Sequence, residues 1–234
     1  MMSGPGWRGL RMALWAAAVL AGMAITACGE DVRLPPLNDP TERVPEAPPT
    51  AAEASSSDPN SPERLAAPQV DEGFAEHRSR NLDAAIAAFQ RALTIHPGNR
   101  RARFGLGTAY ISNQEFAKAR EVLEALAKDY PDDYTVKNNL AWLYATAADP
   151  KVRDGTSALR YAQEVVVMAP RDHHVWSTLA EAYFVNEKYE DALRAATEAL
   201  RLLRAQTRDS AILKDYERQV AKCQLAVQAL SILE

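Results

Sequence analysis

The apolar positions of this chain repeat on two scales. Near the C-terminus, Leu213, Tyr216, Val220, Cys223, Val227 and Leu230 follow one another at steps of 3, 4, 3, 4 and 3. That is a single stripe of an α-helix. Upstream, the pattern returns with a period of 34 residues. A small residue recurs as Gly73, Gly107, Ala141 and Ala180, an aromatic three residues later as Tyr110, Tyr144 and Tyr183, and a second small residue as Ala85, Ala119, Ala158 and Ala192. Pro97, Pro131 and Pro170 close three of the units, with Arg204 in the fourth place. Intervals that cross Tyr144–Ala158 are 39 instead of 34, so one five-residue insertion, near 149–153, accounts for every exception.

This periodicity predicts four helix pairs, over 66–99, 100–133, 134–172 and 173–206, and one further helix over 210–230. Small residues let the two helices of a pair approach, and large residues from neighbours fill the space. Proline ends each second helix because it has no N–H to donate. Asn99, Asp133 and Asp172 stand where the next helix needs an N-cap. One pair cannot bury its apolar face alone, so the units must stack. The stripe at 210–230 then reads as a terminal cap, with Cys223 a packed thiol rather than a reactive one.

The order Trp176, Leu179, Ala180, Tyr183, together with Leu106, Gly107, Tyr110 and with Ala85, Phe89, resembles the tetratricopeptide repeat family, whose motif runs W-x2-L-G-x2-Y, then A-x3-F, then P. The first unit departs from it, with Glu76 in the place of the tyrosine. The resemblance implies an all-α, right-handed solenoid of about four helix pairs. It also implies a concave groove, lined by the first helix of each pair, that holds a peptide or protein segment. Stepped along those helices, the groove positions are Phe74, Arg101, Phe104, Thr108, Asn138, Trp142, Ser177, Glu181 and Phe184. Phe104, Trp142 and Phe184 would make an aromatic staircase beside Arg101, Asn138 and Glu181; the alternative is that these side chains pack against the next helix. The clamp of chaperone-binding members, which grips a C-terminal carboxylate, is not expected, because Phe104 stands where a basic residue belongs.

The first third of the chain is patterned differently. Arg8 and Arg11 precede fourteen uncharged residues, 12–25. As a helix that run spans about 21 Å, short of a bilayer core of about 30 Å. A positive start, a short apolar run and small residues describe a secretory signal peptide over 1–27. The stretch ITAC, 25–28, resembles the lipobox of bacterial lipoproteins. That likeness implies cleavage after Ala27 and acylation of Cys28, which would anchor the chain to a membrane. Gly29 then leans towards an outer membrane facing the periplasm. Residues 28–68 hold nine of the fourteen prolines and no aromatic residue. Such a segment buries too little to offset its ordering entropy, so a disordered linker is expected, with the folded domain over 69–234.

Composition adds exclusions. The net charge of -4 with no clustered basic face argues against a nucleic-acid partner. Cys28 and Cys223 are too few for a disulfide framework or a zinc site. GLGTAY, 105–110, lies within a helix and lacks the third glycine of a phosphate loop. His173 and His174 are adjacent, so their side chains are expected to diverge by about 100° around a helix, a poor start for a metal site. No catalytic constellation emerges, and no cofactor is implied. The expectation is a non-enzymatic adaptor of the cell envelope. The alternatives are a self-associating envelope protein, with a homo-oligomer as the partner, or the regulatory subunit of an envelope enzyme.

Overall fold

Four recurring devices build the fold: an N-cap, a small residue, a left-handed turn residue and a helix-ending proline. The computed structural model describes residues 58 and 60–233 and contains, among them, helices and no strand. The helices are α1 (Pro62–Arg78), α2 (Leu82–Ile95), α3 (Arg100–Ser112), α4 (Phe116–Asp129), α5 (Tyr134–Thr146), α6 (Gly155–Met168), α7 (His173–Val185), α8 (Tyr189–Gln206) and α9 (Ser210–Leu233). Each odd-numbered helix up to α7 pairs with the helix that follows it and stacks on the next odd-numbered one. The expected helix pairs are therefore all present. None of the described helices is long and apolar enough to cross a membrane.

The small residues act as predicted. A Cβ at Gly73 would lie 2.6 Å from the Phe89 ring, and one at Gly107 would lie 2.7 Å from Cδ2 of Leu123. Phe89 and Leu123 are themselves 34 residues apart and fill the same place in successive pairs. The predicted caps hold as well. Asn99 Oδ1 accepts from Ala102 N at 2.9 Å, Asp133 Oδ1 from Thr135 N at 3.0 Å, and Asp172 Oδ1 from His174 N at 2.8 Å. These caps also link successive units. Asn99 donates to Glu63 at 3.0 Å, Arg100 Nε to Asp133 at 2.9 Å, and the Tyr134 hydroxyl to Asp172 at 3.5 Å.

Inside three of the pairs the chain turns through one left-handed residue: Arg80, Gln114 and Glu187, with φ of 60°, 59° and 61°. The amides of Asn81, Glu115 and Lys188 then reach back to the carbonyls of Glu76, Tyr110 and Tyr183 at 3.0, 2.8 and 3.0 Å. This is the Schellman way of satisfying the last carbonyls of a helix. In the third pair the equivalent bond, from Asp154 N to the Tyr144 carbonyl, also forms, at 3.0 Å. The insertion loops out between these two residues. It is an ordered turn in which Val152 is buried and Arg153 Nε bonds the Ala147 carbonyl at 2.8 Å.

One boundary is corrected. The linker was expected to reach residue 68, but α1 begins at Pro62 and contains Pro68. Pro62 is suited to a first helical turn, behind the Ser61 cap. Pro68 costs a backbone bond, on the order of 3 kcal/mol. Burial of Ala66, Val70, Gly73 and Phe74, largely against α2, offsets it. Composition marked Pro68 as spacer because proline alone does not report what its neighbours bury. Cys28, the signal peptide and the rest of the linker lie outside the described residues.

The terminal helix is more than a lid. It packs on α8 and α7, as α7 packs on α6 and α5, so it occupies the place of the first helix of a fifth pair. Tyr216 and Cys223 are buried as the stripe predicted.

Candidate functional site

The inner row of first helices is where the groove was expected, and the structure assigns most of that row to packing. Of the nine groove residues, Phe74, Phe104, Thr108, Asn138, Trp142, Ser177 and Glu181 are buried, Phe184 is half-buried, and Arg101 is exposed. A freely exposed aromatic staircase is not what the chain builds. Phe74 meets Phe89 edge-on, with centroids 4.9 Å apart. Phe184 meets Tyr189 edge-on at 5.3 Å and lies 4.0 Å beneath Lys222 Nζ. Arg101 covers Phe74 at 5.5 Å and reaches Asp71 at 3.3 Å.

The fourth unit loses its inner face to α9. Gln219 Nε2 donates to the Ser177 carbonyl and to Glu181 Oε1, both at 3.0 Å, and its Oε1 accepts from Ser177 Oγ at 2.9 Å. Lys222 Nζ pairs with Glu181 Oε2 at 2.7 Å. Sequence reading missed Gln219. The signal lies in the repeat register: Glu181 follows the small Ala180 as Thr108 follows Gly107, and Asn139 of α5 donates to Thr108 at 3.1 Å just as Gln219 donates to Glu181. Cys223 sits beneath this network, and burial pushes its thiol up to about 12.

The middle of the row is different. Asn138 and Trp142 are one turn apart on α5 and only 2% and 3% exposed. Asn138 Oδ1 and Trp142 Nε1 nevertheless have no hydrogen-bond partner, and neither does Oδ1 of the neighbouring Asn139. An unpaired buried polar atom costs about 1–3 kcal/mol, so three on adjacent turns are a concentrated penalty. They offer one donor and two acceptors, the complement of a peptide group.

At the start of α7, the expected divergence of the two histidines is corrected. The His173 and His174 rings lie 4.0 Å apart and tilted by 35°. Rotation of the side chains at the first turn, where no preceding turn confines them, offsets the angular spacing of their Cα atoms. His173 Nδ1 is 2.8 Å from the Tyr216 hydroxyl of α9, and His174 Nδ1 is 3.1 Å from Asp172 Oδ1. Burial first, then His174, push the His173 imidazole down to about 4. For Asp172, burial works upward, but the bond and charge of His174 outweigh it and hold the carboxyl below its usual range.

Tetratricopeptide repeat models match residues 77–143 and 151–210, together more than half of the chain. The chain belongs to the tetratricopeptide repeat family. A thermophilic TPR protein of Thermus thermophilus superposes with a TM-score of 0.59 over 72% of this chain and 86% of its own, at 19% identity. MamA 41-end from Desulfovibrio magneticus RS-1 superposes at 0.51 over 72% of this chain and 92% of its own, at 16% identity. Both likenesses concern the fold. Superkiller protein 3 of Schizosaccharomyces pombe is 30% identical over 111 residues, 47% of this chain, and the chain spans only 8% of that protein's length.

Proposed function

We propose that this tetratricopeptide chain is a protein-binding scaffold that receives an extended segment of a partner along α3, α5 and α7. The observation that carries this reading is the pair Asn138 Oδ1 and Trp142 Nε1, unpaired at near-complete burial on the inner row. Uncompensated polar atoms in a packed interior are a stability cost, and such costs cluster where function needs them. A partner's backbone N–H and C=O would satisfy both atoms. Trp142→Phe tests the idea, because it removes the donor and keeps an aromatic ring in place. Proteins co-purifying with the chain from solubilised membranes should bind Trp142→Phe about tenfold or more weakly, as loss of a central polar contact at an aromatic anchor does. Unchanged affinity would remove Trp142 from the site.

The scaffold is proposed to be tethered by acyl chains on Cys28 to a bacterial envelope membrane, outer-membrane and periplasm-facing in a Gram-negative cell. The ITAC stretch and the proline-rich spacer support this. Two or more acyl chains anchor durably where one does not. Cys28→Ala should abolish labelling by a fatty-acid analogue and free the chain from membranes, and persistent labelling would refute the anchor.

Self-association is a second reading, favoured by one feature. Leu225, Leu230 and Ile232 are exposed on α9, within a stretch, 223–233, that has no charged residue. Ile232→Glu should abolish any concentration-dependent dimer seen by sedimentation.

A further inference from the structure

The geometry points to a binding site for a borderline divalent transition cation, Zn2+ or its Co2+ and Ni2+ counterparts, formed by Asp172, His173 and His174. Their candidate ligand atoms all lie within 4.8 Å of one another. Two imidazoles and a carboxylate are the donors that select this class of ion. The spacing fits it as well. With metal–ligand bonds of about 2.0–2.2 Å, neighbouring ligand atoms sit roughly 2.8–3.1 Å apart in an octahedron and roughly 3.3–3.6 Å in a tetrahedron. Asp172 Oδ1 and His174 Nδ1 are already 3.1 Å apart, at the edge length of such a polyhedron. The third ligand is a ring nitrogen of His173, whose ring lies 4.0 Å from that of His174 at a tilt of 35°.

The surroundings favour a cation despite the position at a helix start. The positive end of the α7 dipole faces the Asp172 carboxylate, which caps it and supplies the negative charge a cation needs. His173 is more than nine-tenths buried, so a ligand there is shielded from water. Outer-shell partners of the kind that orient metal ligands are in place: the Tyr216 hydroxyl on His173 at 2.8 Å and the Tyr134 hydroxyl on Asp172 at 3.5 Å. Tyr216 belongs to α9 and Tyr134 to α5, so a bound ion would tie three consecutive first helices together at their N-terminal ends.

The test uses the full chain stripped with chelator at pH 7.5. Zn2+ binding is followed by calorimetry, and Co2+ by its visible d–d absorption. The expected result is one ion per chain, with a Co2+ spectrum of nitrogen–oxygen type. His174→Ala and Asp172→Asn should each weaken binding by about tenfold or more, since even loss of an outer-shell partner costs that much. Asp172→Asn keeps the helix cap, so its apo melting temperature should match the wild type and separate ligand loss from unfolding. His96→Ala, on another unit, should bind as the wild type does. Absence of one-to-one binding, or wild-type affinity in His174→Ala and Asp172→Asn, overturns the assignment.

Discussion

Two junctions of the same solenoid solve one packing problem in opposite ways. Between α7 and α9, the buried Ser177, Glu181 and Gln219 find partners in one another and in Lys222. Around α5, Asn139 finds Thr108 of α3, but Asn138 Oδ1, Asn139 Oδ1 and Trp142 Nε1 find none. The repeat register brings equivalent positions together at both places, so the difference lies in side-chain choice, not in backbone. The closed end resembles a finished core; the middle carries polar capacity that its own chain does not use. A fully paired polar network specifies structure, whereas a half-paired one is a liability unless something else completes it.

The sharpest break of this comparison comes from the closed end. Tyr216 is fully buried and joins α9 to His173. Tyr216→Ala should cost about 3–5 kcal/mol in urea unfolding, as aromatic-to-alanine changes in cores do. A loss below about 1 kcal/mol would mean that α9 does not complete the stack. Inside the second unit, Gly107→Ala drives a Cβ to within 2.7 Å of Leu123. The crowding outweighs the gain in helix propensity, and a net loss of about 1–2 kcal/mol is expected. The turn within that unit offers a gain. Gln114 holds φ of 59° without being glycine, so Gln114→Gly should stabilise by roughly 1 kcal/mol. The smallest effect sharpens the sense in which the far end is closed. The Cys223 thiol, buried and pushed up to about 12, should resist a disulfide reagent at pH 8 in the native chain and react at once in denaturant.

The register of the fold was legible because three of its devices are written in residue types. Small residues at 73, 107, 141 and 180, caps at 99, 133 and 172, and prolines at 97, 131 and 170 each have one local job. Where a residue's role depends on what lies across from it, the sequence is silent. Pro68 looked like spacer until the burial of Val70 and Phe74 was known. Phe104 and Trp142 stand on first helices and are buried, and whether such a row stays open depends on how closely successive first helices stack. His173 and His174 converge through side-chain torsions that residue spacing does not encode. Gln219 could have been found by extending the repeat register into α9, which the greater length of α8, 18 residues against 14 in the other second helices, disguises.

Trp142→Phe and Gln219→Leu, unfolded side by side in urea in the absence of any partner, put the comparison to its most direct test. Trp142→Phe deletes an unpaired donor but also some ring volume, so the two effects oppose and stability should change by less than about 1 kcal/mol, whereas Gln219→Leu strips partners from Ser177 and Glu181 and should lower it by about 1–3 kcal/mol. Equal losses in the two variants would show that the middle junction is as complete as the end, and would contradict the account.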